Sequence, residues 1–218
     1  AAFYNAKRYT PDNIRSTPEQ FLELFEKQDD AVYVSTGIES FDDVALGLMQ
    51  GHFTVFQAPE GIGKTEFMRY LEYHVLTEHK DTSIAICHLE ETEKRSVLGL
   101  VSYHLNMNLT RKDLIQENDM EEEVKQAIIE LSQDERLFQF QIAVDEDPMD
   151  ILEKIRYFRE ACGVDYVFFE PIQDLAYSRK GEESVEKWLS SLSVQLSRIA
   201  SELNVGIVTI AHENDDGQ

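Results

Sequence analysis

Cysteine is nearly missing from this chain, with two among 218 residues. Cys87 falls in an apolar run and Cys162 at the end of a helical one, so both read as small core residues in a reducing compartment. Neither a disulfide framework nor a cysteine-held metal is expected. Basic residues are also scarce: 20 Lys and Arg against 42 Asp and Glu give a net charge of −22. The acids are scattered, at Asp29-Asp30, Asp42-Asp43, Glu117 to Glu123, Asp145 to Asp150 and Asp215-Asp216, as on a solvated acidic surface. Nonspecific nucleic-acid binding by that surface is excluded, because phosphate contacts need clustered Lys and Arg. Long hydrophobic runs are absent too. No stretch approaches the roughly 20 residues of a membrane span, and there is no signal peptide, so a cytosolic or nucleoid-associated protein without membrane contact is expected.

What is present is enough apolar material, 42% of the residues, for one sizeable α/β core. Hydrophobic periodicity predicts strands over 52–58, 83–89, 137–143, 164–170 and 205–211, and helices over 64–79, 93–106, 119–132, 148–161 and 183–203. The runs Ser83 to Cys87, Val164 to Phe169 and Val205 to Ile210 are apolar on both faces, the mark of a mostly parallel sheet with helices on each side. Ahead of this core, residues 1–34 read as a linker carrying one helix. Thr17 is its N-cap, Pro18 its first residue and Gln20 the partner in a capping box. Phe21, Leu22, Leu24 and Phe25 then crowd one face that must be buried, on this domain or on a neighbour. With no initiator Met, and an end at Ala211 to Gln218 just past a strand, the chain reads as part of a longer protein whose α/β domain, 35–218, is incomplete at its C-terminal side.

Between the first strand and its helix lies Ala58-Pro59-Glu60-Gly61-Ile62-Gly63-Lys64-Thr65, which fits the Walker A pattern with Ala in the slot more often held by Gly. In that context the backbone N–H groups of Gly61 to Thr65, continuing to Glu66 at the helix start, can cradle phosphate oxygens. Lys64 can reach the β- and γ-phosphates of ATP, and the Thr65 hydroxyl can ligate Mg²⁺.

Ligands of such sheets sit beyond the carboxyl ends of the strands. Three ends carry suitable groups. Glu90, in His88-Leu89-Glu90-Glu91, could orient or deprotonate an attacking water, or it could simply cap the next helix. Glu170, after an apolar run and before Pro171-Ile172-Gln173-Asp174, fits a Walker B acid that holds Mg²⁺, or it could be an acid at a strand end by chance. His212 could touch the γ-phosphate and report its loss, or be a histidine satisfied at a strand end. The turn Tyr177-Ser178-Arg179-Lys180-Gly181 joins two cations, an aromatic and a glycine, as a loop tracking single-stranded DNA would, and equally as a surface turn would.

Ser35-Thr36-Gly37-Ile38-Glu39-Ser40-Phe41-Asp42 and Gly47-Leu48-Met49-Gln50-Gly51 are similar to the lead into Walker A in DnaB-type replicative helicases. The loop at 58–65, Glu90, Glu170 with Gln173, and His212 follow in that family's order. The resemblance runs from about 35 to 218 and looks closest to the phage helicase-primase branch. It implies a RecA-like P-loop core, in which Lys64 and Thr65 are the Walker A pair, Glu90 the catalytic glutamate, Glu170 the Walker B acid and His212 the γ-phosphate sensor. It implies a homo-hexameric ring that moves on single-stranded DNA, a fused or associated primase as a candidate partner, and the cytoplasm of a bacterium or phage-infected host. The family's Walker B acid is usually Asp, so Glu170 is one methylene longer, and its arginine finger normally lies past the position of His212. Rival readings keep the Walker A loop. One is a recombinase or clock-type ATPase that forms filaments or acts on protein, and the other is a regulatory nucleotide-binding module.

Overall fold

The computed structural model describes residues 17–26, 32–109, 120–142, 147–177 and 184–213. The chain divides into two units, 1–31 and 32–218. In the first, helix α1 (Pro18–Glu26) begins at the predicted proline, and the Thr17 carbonyl accepts from Phe21 N–H. Phe21 and Leu22 are exposed within it. The side chains of Gln20, Leu24 and Phe25 lie outside the described residues.

The second unit opens with strand β1 (Tyr33–Val34), helix α2 (Glu39–Ala45) and strand β2 (Leu48–Met49), where β1 pairs antiparallel with β2. Tyr33 and Val34, inside the stretch expected to be linker, therefore belong to this ladder. The α/β core follows as β3 (Phe53–Ala58), α3 (Lys64–Glu78), β4 (Ile84–His88), α4 (Glu93–His104), α5 (Glu121–Ser132), β5 (Leu137–Gln139), α6 (Asp150–Cys162), β6 (Tyr166–Glu170), α7 (Ile172–Tyr177), α8 (Val185–Leu203) and β7 (Gly206–His212). All five core strands run parallel, in the order β3-β7-β6-β4-β5. Alternation along the strands divides the core into two layers. Ile84, Ile86, Tyr166, Phe168, Val208 and Ile210 face α3 and α4, whereas Ala85, Cys87, Val167, Phe169, Val205 and Ile207 face α6 and α8. Complete burial of side chains such as Phe168 and Phe169 contributes about 1.5–3 kcal/mol each.

Polar rivets fix the amino ends of the strands. The Asp165 carboxylate accepts from the Ser83 backbone N–H at 3.0 Å, from Gln50 Nε2 at 3.1 Å and from Arg159 at 2.9 Å. The Tyr166 hydroxyl donates to the Leu48 carbonyl at 2.9 Å and so ties β2 to the sheet. Every core strand and helix predicted from periodicity is present, with ends moved by a few residues. The elements not foreseen are short. Two-residue strands fall below any periodic signal, and α2 buries no side chain; it is held where Asp42 accepts from Thr36 N–H at 2.9 Å and Thr36 Oγ1 at 2.8 Å. β5 ends at Gln139, short of the expected reach to 143, although Phe140 N–H still bonds to the Ile86 carbonyl at 3.0 Å. Cys87 is buried on the α6 side and Cys162 closes α6; both keep their thiols.

Candidate functional site

β3 ends at Ala58 and α3 starts at Lys64, so the loop between them presents the N-terminus of a 15-residue helix beyond the carboxyl edge of the sheet. Gly61 and Gly63 hold φ of 80° and 94°, a left-handed conformation that side chains resist, and a Cβ at either would meet nothing within 4 Å. The glycines therefore supply curvature and leave open space on the loop, as close approach of phosphate oxygens requires. Pro59, Glu60 and Ile62 are exposed, Ile62 at 64%. The Lys64 ammonium is held by the loop's own carbonyls, at 3.0 Å from Ala58 O and 2.8 Å from Pro59 O. It is a cation in place at the rim without a carboxylate partner among those contacts, and an anionic ligand fits it.

Glu170 ends β6 opposite His88 at the end of β4, on the sheet face that carries α3. It is 4% exposed. Burial raises its pKa, and the nearby Glu72 charge adds to this, while His88 and a hydrogen bond from Thr65 pull the other way; the result is pushed up to about 7. The Thr65 hydroxyl lies near enough to the Glu170 carboxyl to lower its pKa, and this oxygen pair suits a hard divalent cation that keeps most of its waters. Beneath them lies a polar group that hydrophobic patterning does not reveal. His88 Nε2 is 3.1 Å from Glu72 Oε1 and 3.9 Å from Glu170 Oε1, and its Nδ1 is 2.6 Å from Ser96 Oγ. Burial disfavours charge on His88, but Glu72 and, to a lesser degree, Glu170 together outweigh it and hold the imidazole above its ordinary pKa.

β7 lies between β3 and β6, and its register sets His212 beside Ala58. His212 Nε2 is 3.6 Å from Glu90 Oε1, while Nδ1 is buried with no hydrogen-bond partner among the described residues. Gln173 Nε2 donates to the His212 carbonyl at 3.2 Å. Asp174 is close by, its pKa raised by burial and by Glu90 and lowered by His212. The adjacent acids of the β4 turn differ sharply: the Glu90 side chain is 51% exposed, whereas Glu91 is 11% exposed and spanned by Arg69 and Arg95. Lys64, Thr65, Glu90, Glu170 and His212 therefore converge on one edge of the sheet. Arg179 and Lys180 lie outside the described residues. Two clefts among those residues, about 550 and 260 Å³, lie between α4, α5 and β5 and are lined by groups such as Val97, Ile128 and Gln139, away from the phosphate loop.

A family model for the DnaB-like helicase C terminal domain matches residues 33–215. The chain belongs to the DnaB-like helicase C-terminal domain family. The replicative DNA helicase DnaC of Bacillus subtilis (strain 168) is 23% identical over 97% of this chain and 45% of its own length. A probable plasmid replicative DNA helicase of Chlamydia psittaci is 24% identical over 81% of the chain and 38% of its own. The DNA helicase/primase of Enterobacteria phage T3 is 21% identical over 96% of the chain and 37% of its own. The chain spans under half the length of these relatives. Membership makes nucleotide-dependent chemistry the expectation for this domain, and the five-stranded parallel sheet is the RecA-like architecture of the DnaB-like family. No helix among the described residues is long and apolar enough to cross a membrane. The residues missed in the DnaB-like chain are Arg69, Glu72 and Ser96, together with the buried role of His88. The available signal was spacing: Arg69 and Glu72 stand three apart beside Met68, Leu71 and Val75, on the stripe that α3 buries.

Proposed function

We propose that this chain is the ATP-hydrolysing motor of a ring-shaped replicative DNA helicase that translocates on single-stranded DNA. What carries the proposal is the convergence, in a DnaB-like domain, of the Lys64 loop, the Thr65–Glu170 pair and the Glu90–His212 pair on adjacent strand ends. In this proposal the loop N–H groups from Gly61 to Glu66 hold the triphosphate, with Ala58 and Pro59 shaping its entry and Lys64 turning from their carbonyls to the β- and γ-phosphates. Thr65 and Glu170 hold Mg²⁺, which when bound neutralises charge developing on the phosphates. Glu90 orients or deprotonates the attacking water; Glu91, whose oxygens are taken by Arg69 and Arg95, is not free to turn to it. His212 touches the γ-phosphate. Arg179 and Lys180 contact the strand, six copies form the ring in the cytoplasm, α1 uses Phe21 and Leu22 to dock on the neighbouring subunit, and a primase is fused or associated.

The full-length protein, imaged with a nonhydrolysable ATP analogue and single-stranded DNA, should form closed six-fold rings whose ATPase is stimulated by DNA. Lys64→Ala should lose nucleotide binding and turnover together. Filaments or isolated subunits under those conditions would remove the ring motor from consideration, and tight nucleotide binding by Lys64→Ala would remove Lys64 from its role.

A further inference from the structure

Arg69 carries a charge that the proposed chemistry leaves without a task. It sits on α3, one turn beyond the phosphate loop, and is only 2% exposed. Its guanidinium forms ion pairs with Glu91 across the site and with Glu66 on its own helix. Burial works against the charge, but the two carboxylates more than offset it and hold the Arg69 pKa above its ordinary value. α4 makes room: at Gly99 a Cβ would stand 2.2 Å from Arg69 Nε and 2.7 Å from Cζ. A larger residue there would occupy the channel through which the guanidinium reaches Glu91.

We propose that Arg69 is a positioning residue, which pins Glu91 and thereby fixes the turn that aims Glu90 at the γ-phosphate. This rests on the assignment of Glu90 made above. The turn Leu89 to Thr92 is held at one end by the bond from Leu89 N–H to the Glu170 carbonyl, 2.8 Å, and at the other by Thr92 capping α4. Between these points lie Glu90, whose half-exposed side chain meets His212 at 3.6 Å, and Glu91, which anchors the backbone to α3. α3 is the helix that begins at the phosphate loop. The clamp therefore refers the proposed catalytic carboxylate to the element that binds the phosphates, and only a guanidinium is long and forked enough to reach Glu66 and Glu91 at once. A displacement of about 1 Å in a group that must meet a reacting atom can cost on the order of 100-fold in rate. Arg95, on the other Glu91 oxygen, is 66% exposed and free to follow the turn rather than fix it.

The test uses the full-length protein with single-stranded DNA and compares steady-state ATPase of Glu90→Gln, Glu91→Gln, Arg69→Met and the Arg69→Met/Glu91→Gln pair. Glu91→Gln keeps the side chain's shape and releases the clamp should Arg69→Met fail to fold. Glu91→Gln is expected to lower kcat by about 10- to 100-fold with the nucleotide KM within about threefold, and the double variant should be no slower than the slower single one. Glu90→Gln should be the least active. If Glu90→Gln is inactive while folded Glu91→Gln keeps wild-type kcat, the clamp is overturned and the assignment of Glu90 stands. If Glu90→Gln keeps full turnover, that assignment falls and the clamp falls with it.

Discussion

At the scale of single residues, the site combines charges that are cheap to place with charges that are not. Lys64 and Glu90 are partly open to water; Glu170, His88, Glu72 and Arg69 are buried. The buried acid gives the domain a pH dependence opposite to that of a salt-bridged carboxylate. Below pH about 4.5, the ordinary value for Glu, Glu170 is protonated in both folded and unfolded chains. As pH rises the unfolded chain ionises first, while the folded one keeps its proton to about 7, so stability falls across that window by up to about 3 kcal/mol. His88 acts in the same direction, because its raised folded pKa gives stability that is present below about 6.5 and lost as pH climbs through the folded value. In urea titrations without Mg²⁺, wild type should weaken between about pH 5 and 8, and Glu170→Gln should weaken less. An equal fall in both would mean that Glu170 ionises normally. That Lys64, Thr65, Glu90, Glu170 and His212 stand at the strand ends was legible in the sequence because each has a fixed offset from an apolar run or a glycine. The burial of Arg69 and Glu72 was not, since their spacing on α3 does not by itself separate a charge at the edge of a helix stripe from one enclosed by a second helix, nor was that of His88 at the end of β4.

At the scale of elements, period and length decided what could be read. α3, α6 and α8 bury a continuous stripe and β4, β6 and β7 are covered on both faces, so the pattern located them to within a few residues. The β1–β2 ladder is tied to the sheet by distant side chains, Tyr166 among them, and no local pattern announces it. Tyr166→Phe should therefore cost about 1–3 kcal/mol, by leaving the Leu48 carbonyl without its donor, and hydrogen exchange should rise selectively at Tyr33 to Met49. Uniform exchange changes across the domain would argue against a local tie. α4 offers a second case, because Gly99 is where its backbone approaches Arg69. Gly99→Ala should destabilise the domain by about 1–3 kcal/mol in thermal or chemical unfolding, despite the better helix propensity of alanine. A stabilised variant would show that the guanidinium can move aside at no cost.

At the scale of the whole molecule, the net charge of −22 makes the chain alone an improbable home for a phosphate polymer. The isolated 218-residue chain should be a weak ATPase and a weak binder of single-stranded DNA; full DNA-stimulated turnover by a monomer would count against the proposed ring. In the complete protein, His212→Ala should keep nucleotide binding and assembly but lose DNA stimulation of the ATPase and strand separation together. Preserved stimulation in a variant shown to be folded would sink the sensor role. The β3–β7 ladder that carries this residue has a mechanical consequence. Its rungs run from Phe53–Ile207 to Ala58–His212, and Glu213 N–H adds a bond to the Ala58 carbonyl at 3.3 Å. Both segments leave the ladder at its carboxyl end, so a pull between the phosphate loop and the backbone after His212 loads the Ala58–His212 rung first and tends to open the ladder from that end. The link between the loop and that backbone is thus short and direct, and it would yield first at the Glu213 bond and the Ala58–His212 rung rather than deeper in the sheet.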